Sequence, residues 1–316
     1  MITIGVDIGG SSIKAALTDP EVGRIFEIAR RPTFANSSQK VTIEQIHTCI
    51  ETLIRFAGGE NLTVNGIGIG VPGTVDVERG IVYHPPNLPA WEEVPLAEEI
   101  HTAWDMDVRL DNDANCAALG EAHFGAGRDM QHFIGLTLGT GVGSGIIINR
   151  RIFHGEHGFA GEFGHLTIDQ NGVKCNCGGR GCIEAYIGIH YMMQEAVPLL
   201  RDDPRSPLQQ RAADDPASLS PEDLSTAADA GDSSSASILR TAGERLGAAV
   251  ASAANLMDIT SFIVGGGISA AGDVLFDGVR QSARERVLRV HRDHLRILPA
   301  QTGNDAGMLG AASLLV

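Results

Sequence analysis

Apolar residues alternate with small or polar ones from Ile2 to Ile8, break at Gly9-Gly10-Ser11-Ser12 and resume from Ile13 to Leu17. A period of two on both sides of a glycine and hydroxyl tip predicts a β-hairpin. The design recurs from Phe133 to Ile148, where a strand containing Thr137 runs into Gly139-Thr140-Gly141-Val142-Gly143 and a second strand follows. Between the hairpins the period changes. Ile43, Ile46, Ile50, Leu53 and Ile54 predict a helix over 42–56, closed by Gly58-Gly59. A strand is expected over Val64–Val71, with Gly66, Gly68 and Gly70 stripping one face so that another backbone or a ligand can come close. Pro72-Gly73 makes the next turn, and residues 84–91, HPPNLPAW, read as a proline-stiffened loop with Asn87 as its polar candidate. A helix near 96–104 and a strand over 107–110 lead into Asp111-Asn112-Asp113 and a helix-prone run, 114–124.

The second half continues the alternation. Residues 201–237 turn to Asp, Pro, Ser and Ala and predict a mobile, solvated excursion holding short helices. Leu246, Val250, Ala253, Ala254 and Met257 predict a closely packed helix, and Ser261–Val264 a strand entering Gly265-Gly266-Gly267 with a helix from Ser269. A small-residue helix is expected over 306–315. The whole reads as α/β, and two matching hairpins more than a hundred residues apart suggest duplicated halves facing across a cleft.

Each glycine tip is a candidate anion cradle, because successive backbone N–H groups and hydroxyls can surround a phosphate. Asp7 stands where it could orient a hydrated Mg²⁺, and Lys14 where it could meet phosphate. Taken alone, Gly9 to Ser12 is a weak signal, because Gly-Gly-Ser-Ser also makes a plain hairpin turn. Two such tips could divide the charge of a nucleotide triphosphate, with Gly265 to Gly267 leaving a flat surface for base or ribose. Asp113 has two readings, a helix N-cap or a catalytic carboxylate at a strand end, where α/β folds place their ligands.

The densest chemistry lies between Gly155 and Gly188, where Glu162, His165, Cys175, Cys177, Cys182 and Glu184 fall in one short span. Three thiols and an imidazole match a closed Cys₃His zinc site of structural type. Glycines 178, 179 and 181 allow the tight fold this needs. The rival readings are buried free thiols or a disulfide, and an odd count of five cysteines without a secretory leader speaks against the disulfide. Zinc would present Glu162, His165 and Glu184 as a rigid polar group.

Length and charge narrow the field. At 316 residues two domains are expected. A formal charge of −15 repels a phosphate backbone, and the basic run from Arg280 to Arg296 is interrupted by acids, as on a solvated helix face. Nucleic acid is therefore not an expected partner. No apolar run reaches membrane-spanning length, so no membrane is expected either. The chain starts directly in a strand, which leaves no room for a leader or an appended DNA-binding module, and a cytoplasmic protein is expected.

DIGGSSIK at 7–14, GVPGTVD at 70–76, LDNDANCAALGE at 110–121, LGTGVGSG at 138–145, and above all GEFGH with CNCGGRGCIE, resemble the ROK family (repressor, open reading frame, kinase) of bacterial sugar kinases. The resemblance spans essentially the whole chain. It implies an actin-like ATPase, ribonuclease-H-like fold: an N-terminal domain over 1–112, a larger zinc-bearing domain over 113–302, and a C-terminal helix near 303–316 returning to the first. It implies ATP-dependent phosphorylation of a hexose with Mg²⁺ and structural Zn²⁺, glucose to glucose 6-phosphate foremost. N-acetylmannosamine, N-acetylglucosamine and fructose kinases, and sugar-responsive regulators, remain as alternatives within the family. Asp113 would be the base, and Gly73, Asn87, Asn112, Glu162, His165 and Glu184 would hold the sugar. Asp7, Gly9, Gly10, Ser11, Ser12, Lys14, Thr137, Gly139, Thr140 and Gly141 would face the phosphates, and Gly265, Gly266 and Gly267 the adenosine. His165, Cys175, Cys177 and Cys182 would bind the metal, and the expected assembly is a homodimer or a dimer of dimers.

Overall fold

The computed structural model describes residues 1–269 and 271–316. Residues 1–135, 145–161 and 300–316 form one compact unit, and 136–144 with 162–299 a second. The first hairpin forms as the alternation requires, from β1 (Ile2–Ile8) and β2 (Ser12–Asp19), and β3 (Arg24–Pro32) extends it. Then come α1 (Gln39–Gly59), β4 (Val64–Val71), the short strands β5 (Thr74–Asp76), β6 (Ile81–Tyr83) and β7 (Glu93–Val94), α2 (Leu96–Trp104), β8 (Asp107–Asn112) and α3 (Asp113–Phe124). The sheet order is β3-β2-β1-β4-β8, while β5, β6 and β7 make a small sheet of their own. β1, β4 and β8 run parallel, with Gly70 opposite Asp111 and Val71 opposite Asn112. The polar ends of these strands therefore finish side by side.

Ile4, Val6 and Ile8 meet Ile43, Ile46, Ile50 and Leu53 of α1 in one buried cluster. The alternate positions face the other way. There the C-terminal helix, Ala306–Ala312, lies directly on bare backbone: a Cβ added to Gly5 would stand 1.9 Å from the Met308 carbonyl oxygen, and one added to Gly68 1.8 Å from that of Ala311. On its far side Gly310 meets α3, where an added Cβ would fall 1.7 Å from the Cys116 carbonyl oxygen. Gly68 thus seats this helix, Gly70 meets Cys116 of α3 and Gly66 meets Leu315, which accounts for the stripped strand face read in the sequence. Gly68→Ala is expected to destabilise the protein by at least about 1–3 kcal/mol, since the clash is with rigid backbone. Thermal unfolding checks it.

α3 groups with the first unit because it packs on this C-terminal helix and shares Glu121 with it. The buried Glu121 Oε1 accepts hydrogen bonds from the backbone N–H groups of Gln301 (2.9 Å) and Thr302 (2.7 Å), and Oε2 accepts from Ala126 N (2.8 Å). The domain boundary implied after residue 112 falls between β8 and α3. The contact-defined unit keeps α3 with β8.

The second hairpin is β9 (Phe133–Leu138) and β10 (Val142–Ile148), followed by β11 (Arg151–Ile152). Helices follow: α4 (Glu184–Ile187), α5 (Ile189–Arg201), α6 (Gln209–Asp214), α7 (Pro221–Asp229) and α8 (Ser233–Met257), then β12 (Ser261–Gly265), α9 (Asp273–Arg286) and β13 (Arg296–Pro299). The helix Ala306–Ala312 is α10. The second five-stranded sheet has the order β11-β10-β9-β12-β13, with β12 and β13 parallel. α8 and α9 touch through Gly243 and Gly247, where added Cβ atoms would meet the Leu275 and Val279 carbonyls.

Two sequence expectations change. A 3-10 turn, Gly267–Ala271, intervenes after β12, so the helix expected from Ser269 starts at Asp273, behind a positive-φ Gly272. The polar stretch 201–237 is anchored rather than solvated throughout. Ser206, Leu208, Ala212, Leu219 and Leu224 are buried, and the buried Asp232 carboxylate accepts from Ser206 Oγ (2.9 Å), Ser235 N (3.2 Å) and Ser235 Oγ (2.5 Å). Among the described residues no helix is long and apolar enough to cross a membrane.

Candidate active site and metal centre

In the first unit the strand ends gather the candidates. Asn112, rather than Asp113, caps α3: its Oδ1 accepts from Ala114 N (2.9 Å) and Asn115 N (3.3 Å), while its Nδ2 donates to the Gly73 carbonyl (3.0 Å). Gly73 takes φ +89 with Pro85 packed against it, a backbone that an L side chain would strain. Asp113 stands at the first helical position, with Oδ1 accepting from Ala114 N (2.9 Å). The N-cap reading of Asp113 therefore passes to its neighbour.

The Gly9–Ser12 tip is closed by Gly9 N donating to Ser12 O (3.0 Å) and braced by Thr33, whose Oγ1 donates to Gly9 O (2.6 Å). Asn87 lies beside it, since a Cβ on Gly10 would be 3.4 Å from the Asn87 Cβ. Asp7 and Lys14 face each other across β1 and β2. Burial raises the proton affinity of the Asp7 carboxyl, and the Lys14 charge opposes this. A half-buried carboxylate with that penalty suits a hydrated divalent cation, which would relieve it.

The turn also makes a contact that the sequence did not single out, between Asp111 and His154. Asp111 is 2% exposed; its Oδ1 accepts from Asn112 N and Asn115 Nδ2, both at 2.8 Å, and its Oδ2 lies 2.7 Å from His154 Nε2.

In the second unit Glu184 joins the hairpin tip to the cysteine loop. Its Oε2 accepts from Val142 N (3.0 Å) and lies where a Cβ on Gly141 would sit, while Oε1 is 3.9 Å from Cys175 Sγ. Ile189 N donates to Gly139 O (3.0 Å), so α5 backs the tip that holds Gly139, Thr140 and Gly141, one residue beyond the strand bearing Thr137. Gly266, at φ +89, brings its backbone against Leu138 at the end of β9, so Gly265 to Gly267 border the same hairpin.

His165, Cys175, Cys177 and Cys182 form one cluster, with all four donor atoms within 4.8 Å of one another. Cys177 and Cys182 Sγ are 3.7 Å apart, far beyond a disulfide, and close to the ~3.8 Å edge of a tetrahedron built on Zn–S bonds of ~2.3 Å. His165 Nδ1 faces Cys175 Sγ at 3.9 Å and Nε2 faces Glu162 at 3.7 Å, so one ring nitrogen serves the cluster and the other a carboxylate. The loop folds through Gly178 and Gly181, both at positive φ; a Cβ on Gly181 would strike the Asp169 carbonyl oxygen at 1.6 Å. The Gly179 N–H lowers the proton affinity of Cys177, whereas burial pushes Cys182 up to about 12. A cation at the centre would remove that second penalty. The donor set and spacing fit zinc.

The ROK family sequence profile matches residues 3–316. The glucokinase of Thermotoga maritima is 35% identical over 99% of this chain and 96% of its own. A ROK family glucokinase from Streptomyces griseus, solved with glucose and AMPPNP, is 35% identical, with 99% of each chain covered and a TM-score of 0.84. The xylose repressor of Bacillus subtilis is 30% identical over 99% of this chain and 77% of its own. A profile match across the whole chain and kinases so similar over nearly their full length settle the family: the chain belongs to the ROK family and has the actin-like ATPase fold of its sugar kinases.

Proposed function

We propose that the protein phosphorylates a hexose with ATP, glucose to glucose 6-phosphate foremost, in the cytoplasm. The observation that carries this reading is the position of Asp113. Because Asn112 supplies the helix cap, the Asp113 carboxylate is not needed to end the helix, and it stands at a parallel-strand end beside Gly73 and Asn112. Asp113 takes the proton of the sugar hydroxyl as its oxygen bonds to the terminal phosphorus and the bond to ADP breaks. Such transfer asks for positioning and charge neutralisation more than covalent help.

Asn112, Asn87, Gly73, Glu162, His165 and Glu184 are the residues offered to the remaining hydroxyls. Groups of that kind reject a sugar lacking one hydroxyl by being left unpaired. The Gly9–Ser12 and Gly139–Gly141 tips, with Lys14 and Thr137, take the phosphates, and Gly265 to Gly267 take the adenosine. Asp7 would hold a hydrated Mg²⁺, which supplies charge neutralisation. His165 and the three clustered cysteines would hold a structural Zn²⁺. A homodimer belongs to the same reading, for which the exposed Leu256, Leu288 and Val290 offer apolar surface.

Sugar-dependent ADP release, measured with Mg-ATP over glucose, mannose, fructose, N-acetylglucosamine and N-acetylmannosamine, tests the reading. Glucose should give the highest kcat/KM. Higher efficiency on an N-acetylhexosamine or fructose would move the substrate within the family, and sugar binding without ADP release from any of the five would favour a regulator.

A further inference from the structure

Three carboxylates gather at the polar strand ends of the first unit. Their common neighbour is the buried Cys116, whose thiol is pushed far up by burial and then by the charges of Asp111, Asp7 and Asp113. So dense an acidic group needs cations. Lys14 faces Asp7 across the hairpin, and His154 bonds to Asp111 at 2.7 Å.

His154 does more than balance charge. Its side-chain bond satisfies Asp111 Oδ2, the oxygen not engaged by Asn112 N and Asn115 Nδ2, while its own carbonyl accepts from Ala160 N (3.0 Å) and closes the 154–160 loop. That loop turns through Gly155 and Gly158 at positive φ and runs on to Gly161, the residue before Glu162. We infer that His154 is a positioning residue for the phosphoryl transfer, acting through the buried Asp111 to fix the turn that carries Asn112 and Asp113 and to balance the charge beside the base. The inference rests on the sugar kinase reading and extends it to a residue that touches neither substrate.

Without the imidazole, a nearly fully buried carboxylate oxygen loses its partner, and the turn must move to rehydrate it or take up a proton. A displacement of about 1 Å at the base is enough to cost roughly 100-fold in rate. Charge acts separately. The bond to Asp111 raises the proton affinity of His154 against the opposing effect of burial, so the imidazolium persists to higher pH than an ordinary histidine. An unbalanced Asp111 charge would disfavour ionisation of the nearby Asp113.

The experiment compares wild type, His154→Ala and His154→Gln by kcat, KM and the pH dependence of kcat/KM, with thermal unfolding alongside. His154→Ala should lower kcat by about 10- to 100-fold with the KM for ATP unaffected. His154→Gln, whose amide can donate to Asp111, should recover most of kcat. Both variants should show the acid limb of kcat/KM at higher pH than wild type, a change that a merely structural role would not produce. An active, folded His154→Ala with wild-type kcat would overturn the inference, as would a His154→Gln of wild-type stability that is no better than alanine or keeps the wild-type pH profile. Absence of sugar-dependent ADP release from the wild type itself would instead bring down the kinase reading, and this inference with it.

Discussion

Asp113→Asn is expected to lower turnover by ~10²–10⁴-fold, the usual worth of a positioned base, with sugar affinity and folding near wild type. The substitution is nearly silent for the fold. An asparagine Oδ1 can still accept from Ala114 N, and the helix cap belongs to Asn112, which is untouched. Removing one negative charge from the group formed with Asp7 and Asp111 should leave the melting temperature unchanged or raise it. Lost activity with kept or increased stability is what a residue retained for chemistry produces. The measurement pairs steady-state ADP release with thermal unfolding and with glucose binding followed by tryptophan fluorescence. Near-normal turnover in the variant would remove Asp113 from the mechanism. A large fall in melting temperature would make it a structural residue.

Much of this site was legible because its signals are local. A glycine tip between two alternating runs forms a hairpin by backbone sterics alone, and residues 2–17 and 133–148 both do so. The cysteine cluster falls within 18 residues of chain, His165 to Cys182, so its spacing could be read directly. Pairings between distant residues could not. Asp111 and His154 are 43 positions apart, and Glu121 and Thr302 181, and neither partner carries a pattern that names the other. The choice of cap at α3 also lay beyond the sequence, since Asn112 and Asp113 are equally good caps. It is decided by the register of β8 on β4, which keeps Asn112 in the sheet opposite Val71 and starts the helix after it. The polar stretch 201–237 misled for a related reason. Serine and aspartate signal solvent by composition, yet Ser206, Ser235 and Asp232 satisfy one another in the interior.

The second large effect should come from the metal centre. Purified protein is expected to contain one zinc per chain, and Cys177→Ser to fall well below that, with a lower melting temperature and a raised KM for glucose. Cys177 is the exposed cysteine of the cluster, so its loss leaves no cavity in the core, and any destabilisation reports the metal rather than packing. The loop has little apolar packing to hold it: the local core under it is Cys175, Cys182 and Ala185, with Tyr191 packed against them. In small zinc domains the metal supplies roughly 10–16 kcal/mol of apparent binding energy, which is also folding energy. A loop so held carries Glu184 on one flank and His165 on the other, so freeing it should weaken sugar binding while the first unit stays folded. Cys49→Ser separates thiol chemistry from metal binding, since Cys49 is buried in the first unit's core. It should lower stability by placing a hydroxyl among apolar side chains and leave the zinc content at one. Wild-type protein free of zinc, or Cys177→Ser with unchanged metal content and unchanged KM for glucose, would overturn the assignment. The four donors would then be a redox or hydrogen-bonded cluster, and the rigidity of Glu184 and His165 would have to come from hydrogen bonds such as Val142 N to Glu184 and Ile183 N to Leu166 O.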